Sequence, residues 1–283
     1  MEPNIRTFLG CDAEYDEATH VVFGAPFDGT TSYRPGTRFA SSVMRNDSNL
    51  GFESYSPDLD KDLFDYAIFD GGDLELPYAS APKVLDTIQA YVKEVLADNK
   101  VPVMIGGEHL VSLGAFRSIV EKYPDVHIIH FDAHTDLRDE FGGSNLSHAT
   151  VLKRMVELSG EHTLFQFGIR SGLKEEFEYS VKHQFIQKHN FMGLDKVIEQ
   201  LKDKPVYLTI DLDVLDPSVF CGTGTPEPGG VSFRDLINAI YSMKELNIVG
   251  ADLVELAPNL DVSGASTSVA IKTLRELLLT LQK

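Results

Sequence analysis

An α/β protein on a mostly parallel sheet of about eight strands is the fold class this sequence predicts. Three observations carry that expectation. Short runs of Val, Ile and Phe recur along the chain, most of them continuously apolar, as strands covered on both faces require. Segments of helical period lie between them. Acidic and histidine residues gather where the runs end, which is where α/β folds carry their chemistry.

In chain order, the runs fall at 21–27, 66–70, 101–105, 126–131 and 163–169, weakly near Phe185, then at 206–210 and 248–253. Pro82 suits the first turn of a helix that places Val84, Leu85, Ile88, Tyr91, Val92, Val95 and Leu96 on one face. Ser232, with Asp235 three positions on, reads as the N-cap of a helix burying Leu236, Ile237, Ile240 and Tyr241. Leu274, Leu277, Leu278 and Leu281 mark a last helix. No repeat, low-complexity tract or linker interrupts this order, so residues 1–283 read as one domain. A doubly wound open sheet and a closed eight-stranded barrel both fit, and periodicity does not separate them.

Composition narrows the function. Across 283 residues, 25 Lys and Arg face 43 Asp and Glu, a net charge of −18. That argues against nucleic-acid and membrane-surface partners, which need clustered cations. It suits metal ions and cationic ligands. Cys11 and Cys221 are too few for a disulfide scaffold or a cysteine zinc site. No apolar run is long enough to span a membrane, and residues 1–12 lack the basic start and apolar stretch of a secretory signal. A cytoplasmic protein is expected.

The strongest signal is a set of polar strand ends. The run at 126–131 ends in Asp132-Ala133-His134-Thr135-Asp136; if the strand persists, alternate residues converge on one side. The run at 206–210 ends in Asp211-Leu212-Asp213, with Asp216 beyond, and 101–105 ends in Gly106-Gly107-Glu108-His109. Carboxylates crowded at the mouth of a buried sheet repel one another unless a cation compensates them. Four Asp and two His exceed what one tetrahedral zinc takes and suit two divalent ions about 3.5–4 Å apart. A lone Asp-x-Asp pair is common in turns and says little; three such ends in one α/β chain say much more. Other residues read as structural: Asp73 as a turn former, Glu108 as facing away from the ligands, Glu175, Glu176 and Glu178 as a solvated helix face, Cys221 as a small buried side chain.

These motifs, in order, resemble the ureohydrolase family of arginases, agmatinases and related guanidino-compound hydrolases. The resemblance rests on Gly-Gly-Glu-His at 106–109, Phe-Asp-Ala-His-Thr-Asp at 131–136, Ser-His-Ala at 147–149 and Asp-Leu-Asp-Val-Leu-Asp-Pro at 211–217. Gly-Thr-Gly-Thr-Pro-Glu-Pro-Gly-Gly at 222–230 and Asp-Leu-Val-Glu-Leu-Ala-Pro at 252–258 complete it. It implies a three-layer α/β/α sandwich, an arginase-like fold, and two Mn²⁺ per chain. His109, Asp132, Asp136 and Asp211 would hold one ion, and Asp132, His134, Asp211 and Asp213 the other. A metal-bridging hydroxide would attack the guanidinium carbon. The resemblance also implies His148 as a proton-relay group at the pocket mouth, Glu255 as the carboxylate that holds the guanidinium, and a homo-oligomer, trimer or hexamer.

The segment after the aspartate motif, with Arg138 where arginases carry an Asn, and the loop containing Thr225 resemble bacterial and archaeal agmatinases. Both residues are expected to contact substrate, and agmatine, hydrolysed to putrescine and urea, is the expected one. A guanidinobutyrase, a guanidine hydrolase or an arginase would share the metal chemistry. A zinc deacetylase of related fold, with one metal, is a remoter reading, and a barrel amidohydrolase remoter still. A catalytically silent paralogue fits poorly with six competent ligand positions. The chain departs from the family at Ala40-Ser41-Ser42, where members carry Gly-Pro after Gly-Thr-Arg-Phe.

Overall fold

Burial of both faces of an apolar strand requires a covering layer on each side, and this chain builds both. The computed structural model describes residues 6–78 and 80–282. The strands are β1 (His20–Ala25), β2 (Tyr55–Ser56), β3 (Lys61–Asp62), β4 (Ile68–Asp73), β5 (Val101–Gly106), β6 (His127–Phe131), β7 (Leu164–Ile169), β8 (Phe185–Lys188), β9 (Pro205–Asp211) and β10 (Asn247–Val254). The helices are α1 (Ala40–Gly51), α2 (Ala81–Ala97), α3 (Val111–Lys122), α4 (Val151–Ser159), α5 (Lys174–His183), α6 (Leu194–Leu201), α7 (Phe233–Ser242) and α8 (Ala265–Leu281).

Among the described residues, eight strands form one parallel sheet in the order β4-β1-β5-β10-β9-β6-β7-β8, while β2 and β3 make a small antiparallel hairpin. The order has two free ends, so the sheet is open and the barrel alternative is excluded. Strand alternation sorts the core. Val22, Ile129 and Leu208 point to a layer holding Met44 of α1, Val197 of α6, Ile240 of α7 and Leu274 of α8. Phe23, Ile128 and Tyr207 point to α2, α3 and α4, through Ile88, Phe116 and Leu152. Each such buried side chain contributes about 1.5–3 kcal/mol relative to exposure. The result is the expected three-layer sandwich. The helix at Ala40–Gly51 forms without the family's Gly-Pro pair, continuing from a 3-10 turn at Thr37–Phe39.

The chain crosses from β5 to β6, and β9 and β10 later fill the space between them. That reversal opens a crevice beyond the carboxyl ends of four central strands, where open α/β sheets bind ligands. No helix among the described residues is long and apolar enough to cross a membrane.

Candidate metal centre

Strand register brings the polar ends together. Phe131 lies opposite Ile210, Ile210 opposite Leu253, and Leu253 opposite Ile105. One residue further on, Asp132, Asp211, Val254 and Gly106 therefore stand level across four adjacent strands. His109 follows Gly106 at the start of the turn into α3, and Glu255 follows Val254.

His109 is oriented from behind. Its Nε2 donates to Thr209 Oγ1 at 2.9 Å, and Thr209 donates to Asp252 Oδ1 at 2.6 Å, while Tyr207 donates to the other Asp252 oxygen. With Nε2 carrying the proton, Nδ1 presents its lone pair forward. It makes no hydrogen bond. Instead it faces Asp132 Oδ2 at 3.1 Å, Asp136 Oδ2 at 3.2 Å and Asp211 Oδ2 at 3.4 Å. Four electron-rich atoms converging in a buried site need a cation between them.

His134 forms a second convergence, with Nδ1 at 3.0 Å from Asp213 Oδ2 and 3.4 Å from Asp132 Oδ1. Asp132 thus turns one oxygen to each histidine. Asp213 Oδ2 has no hydrogen-bond donor, whereas its Oδ1 accepts from Ala133 N at 3.0 Å. Asp211 caps the 3-10 turn Leu212–Val214 by accepting from Asp213 N at 2.8 Å, which fixes these two acids relative to each other. The geometry brings together all six sequence-predicted metal ligands.

Asp136 arrives by a route the alternation argument missed. β6 ends at Phe131, and Asp136 sits in the left-handed region at φ 52°. Its carbonyl accepts from Leu152 N and Lys153 N at the start of α4, at 3.1 and 3.3 Å, which holds that uncommon conformation. Glu255 is left-handed too, at φ 68°, and its Oε1 accepts from His109 N at 2.8 Å.

Without a cation, protons must hold this cluster. Burial raises Asp136 to about 7, helped by the Asp132 charge, and burial with Asp213 and Asp132 lifts Asp211 well above the carboxylate range. Burial opposes protonation of His109 and His134, yet the carboxylates around them hold both well above the usual imidazole value. Asp132 alone is held well below its usual range, because the surrounding histidines outweigh its burial. Protons and metal ions would compete for the same positions, so the donor set fits divalent cations.

The cluster floors a cavity of about 210 Å³. Ser32, Phe141, His148, Thr225 and Glu255 are in its walls, with Arg138 and Glu176 further along. Burial, then the His134 and His109 charges, lower His148 to about 4, and its Nε2 lies 3.1 Å from Ser32 Oγ. Arg138 stacks over the Phe141 ring at 4.6 Å and approaches Glu176 at 3.8 Å. Arg34 braces the Thr225 loop by donating to Thr223 O and Gly224 O at 2.6 and 3.2 Å.

Three structural expectations are corrected. Glu176 is buried, not solvated: its carboxylate accepts from Leu137 N at 2.9 Å and Leu173 N at 2.6 Å, capping α5 and tying it to the pocket. Asp73 ends β4 in an ion pair with Arg45, not in a turn. Cys221 is exposed, with its thiol 4.0 Å from Ser266 Oγ.

Sequence reasoning also overlooked several supporting residues. His130 lies close enough to His109 and Asp132 to share an ion. Yet Gln166 Nε2, oriented by donating to Thr135 O at 2.9 Å, also donates to His130 Nδ1 at 3.1 Å. The His130 proton is therefore on Nε2 and points to Asp132 Oδ2 at 2.8 Å, which makes His130 a donor to a ligand. Arg170 spreads its guanidinium over the carbonyls of Gly168, Asp213, Val214, Leu215 and Glu227 and so clamps the turn carrying Asp213. A buried His two residues before Asp132 was a usable signal; nothing local marked Arg170 or Gln166.

Known proteins resemble this chain over most of its length. The model of the arginase family matches residues 18–280. The agmatinase of Bacillus subtilis is 45% identical over 278 residues, covering 97% of this chain and 96% of that protein. A solved structure from Clostridium difficile is 52% identical with a TM-score of 0.92, covering 95% of this chain and 98% of the other. The agmatine ureohydrolase of Thermoplasma volcanium superposes with a TM-score of 0.89 at 34% identity, over 98% and 94% of the two chains. The chain belongs to the arginase family and is a ureohydrolase.

Proposed function

We propose that this arginase-family chain hydrolyses agmatine to putrescine and urea, using two Mn²⁺ per chain. The observation that carries the reading is the pairing of two histidine–aspartate convergences with a buried carboxylate, Glu255, in one cavity. His109, Asp132, Asp136 and Asp211 would hold one ion, and Asp132, His134, Asp211 and Asp213 the second. Two bound divalent ions supply Lewis acidity, which makes water a nucleophile near neutral pH.

The remaining work falls to side chains. Glu255 is pushed well above the carboxylate range, first by burial and next by Glu108. A planar guanidinium beside it relieves that cost through a charge-assisted pair. His148, neutral at pH 7, accepts a proton and delivers it to the leaving amine. Arg138 lies over the Phe141 ring in the pocket wall, 3.8 Å from Glu176, and would contact the substrate's tail. The likeness to agmatinases supports an aminoalkyl tail over an amino-acid tail. Thr225 lines the path of that tail. A cytoplasmic homo-oligomer, trimeric or hexameric, with residues 1–283 as one domain, completes the reading.

The test is kcat/KM on manganese-loaded protein for agmatine, arginine, guanidinobutyrate and guanidine. Agmatine should lead by at least about a hundredfold, since mispaired polar groups cost that much or more in a buried site. Arginine used equally well would refute the assignment.

A further inference from the structure

We infer that Glu108 and Thr30 form a strut that positions His148 across the pocket, an inference that rests on His148 being the proton-transfer group. Glu108 and His109 are neighbours serving opposite sides: His109 faces the metal cluster, while the fully buried Glu108 carboxylate faces the loop after β1. The two segments pass unusually close. A side chain at Gly107 would place its Cβ 1.9 Å from Phe27 O, and Glu108 N donates to that same carbonyl at 2.8 Å.

Three donors converge on the Glu108 carboxylate. Thr30 N donates to Oε2 at 2.8 Å, Thr31 Oγ1 to Oε2 at 3.1 Å, and Thr30 Oγ1 to Oε1 at 2.5 Å. A carboxylate accepts all three with the Thr30 hydroxyl as donor, whereas an amide turned to accept from Thr30 N and Thr31 Oγ1 would donate its NH₂ to that hydroxyl instead. Because the Thr30 hydroxyl proton is committed to Glu108, its oxygen is left as an acceptor. It receives the backbone N–H of His148 at 3.1 Å. His148 begins the 3-10 turn His148–Thr150, so its N–H has no partner within that turn. Two residues along the same loop, Ser32 Oγ meets His148 Nε2 at 3.1 Å. One loop therefore grips His148 at its backbone and at its ring, and Glu108 sets the shape of that loop. Thr30 and Glu108 are positioning residues acting through His148.

Thr30→Val, which keeps shape and removes the hydroxyl, is compared with Thr30→Ser, which keeps the hydroxyl, in the full chain. Amide hydrogen exchange at His148, measured in metal-free and manganese-loaded protein, reads the strut directly. In Thr30→Val this amide should exchange at least about tenfold faster, while the Ala149 amide, held by Ser147 Oγ at 3.4 Å, keeps its protection. With manganese content unchanged, kcat should fall roughly ten- to a hundredfold, the scale of a misplaced catalytic group, with KM for agmatine within about threefold of the parent. Thr30→Ser should restore both, and Glu108→Ala, which removes the acceptor of all three donors, should speed His148 exchange in the same sense as Thr30→Val. Unaltered His148 exchange in Thr30→Val, or a serine variant as impaired as the valine, overturns the strut. The exchange measurement needs no turnover, so a failure of the agmatine assignment leaves it readable.

Discussion

Two acidic clusters stand on strands of this sheet, and they differ in what neutralises them. On β4, the buried Asp70 is gripped by Arg45 through Nε to Oδ2 at 2.7 Å and Nη2 to Oδ1 at 2.9 Å. Asp70 also accepts from Phe8 N at 2.7 Å, and Asp73 pairs with the remaining Arg45 nitrogen. At the ends of β6 and β9, Asp132, Asp136, Asp211 and Asp213 are buried like Asp70 but face two imidazoles and no Lys or Arg. Burial of acids is thus common to a structural brace and a functional centre. What separates them is a fixed internal cation, which the first has and the second lacks.

The contrast is sharpest when each cluster loses one charge. Asp211→Ala or Asp132→Ala removes a carboxylate shared by both proposed ion positions, so metal content and urea release should collapse together, by more than about a thousandfold in activity. Full activity in either variant would break the comparison. Arg45→Met leaves the buried Asp70 uncompensated and should cost about 3–5 kcal/mol of stability by denaturant titration. Its metal affinity should not change, and a loss of metal there would mean the clusters are not independent. His148→Ala should retain metal while kcat falls roughly ten- to a thousandfold, and loss of metal would reassign it as a ligand.

The smallest expected effect is on pH dependence. Asp136 is raised from 3.8 to about 7 in the metal-free fold, so that fold binds its proton more tightly than the unfolded chain does. Its contribution is full at low pH and is lost as pH rises from about 4 to about 7. Asp211, also raised, acts in the same sense, as do His109 and His134 above the usual imidazole range. Metal ions take the positions of those protons, so the Tm gain on adding Mn²⁺ should be larger near pH 8 than near pH 6. An equal gain at both pH values would contradict the competition between protons and metal.

Much of this centre was legible before any coordinates. All eight apolar runs became strands of the main sheet, with no end shifted by more than three residues. The shortfalls have identifiable causes. Asp136 joins the cluster through a left-handed backbone turn held by α4, which strand alternation does not encode. Glu176 sits in a run of acids that reads as solvent-facing, yet two backbone amides draw it inward. Arg45 finds its acids 25 and 28 residues away, and every Arg170 partner but Gly168 is at least 43 residues away, so no local pattern announces them.

By itself the sequence determined which residue types stand at each strand end, since an abrupt change from apolar run to Asp and His is a local property of the chain. It also carried the excess of acid that leaves those ends wanting cations. Only the tertiary structure decided which ends are neighbours, because strand order β5-β10-β9-β6 is set by crossovers and not by periodicity. It alone distinguished the acids that Arg45 neutralises from those left to an ion, and it alone joined Thr30 to His148. A charge is compensated by whatever lies within a few ångströms in space, and separation along the chain does not measure that distance.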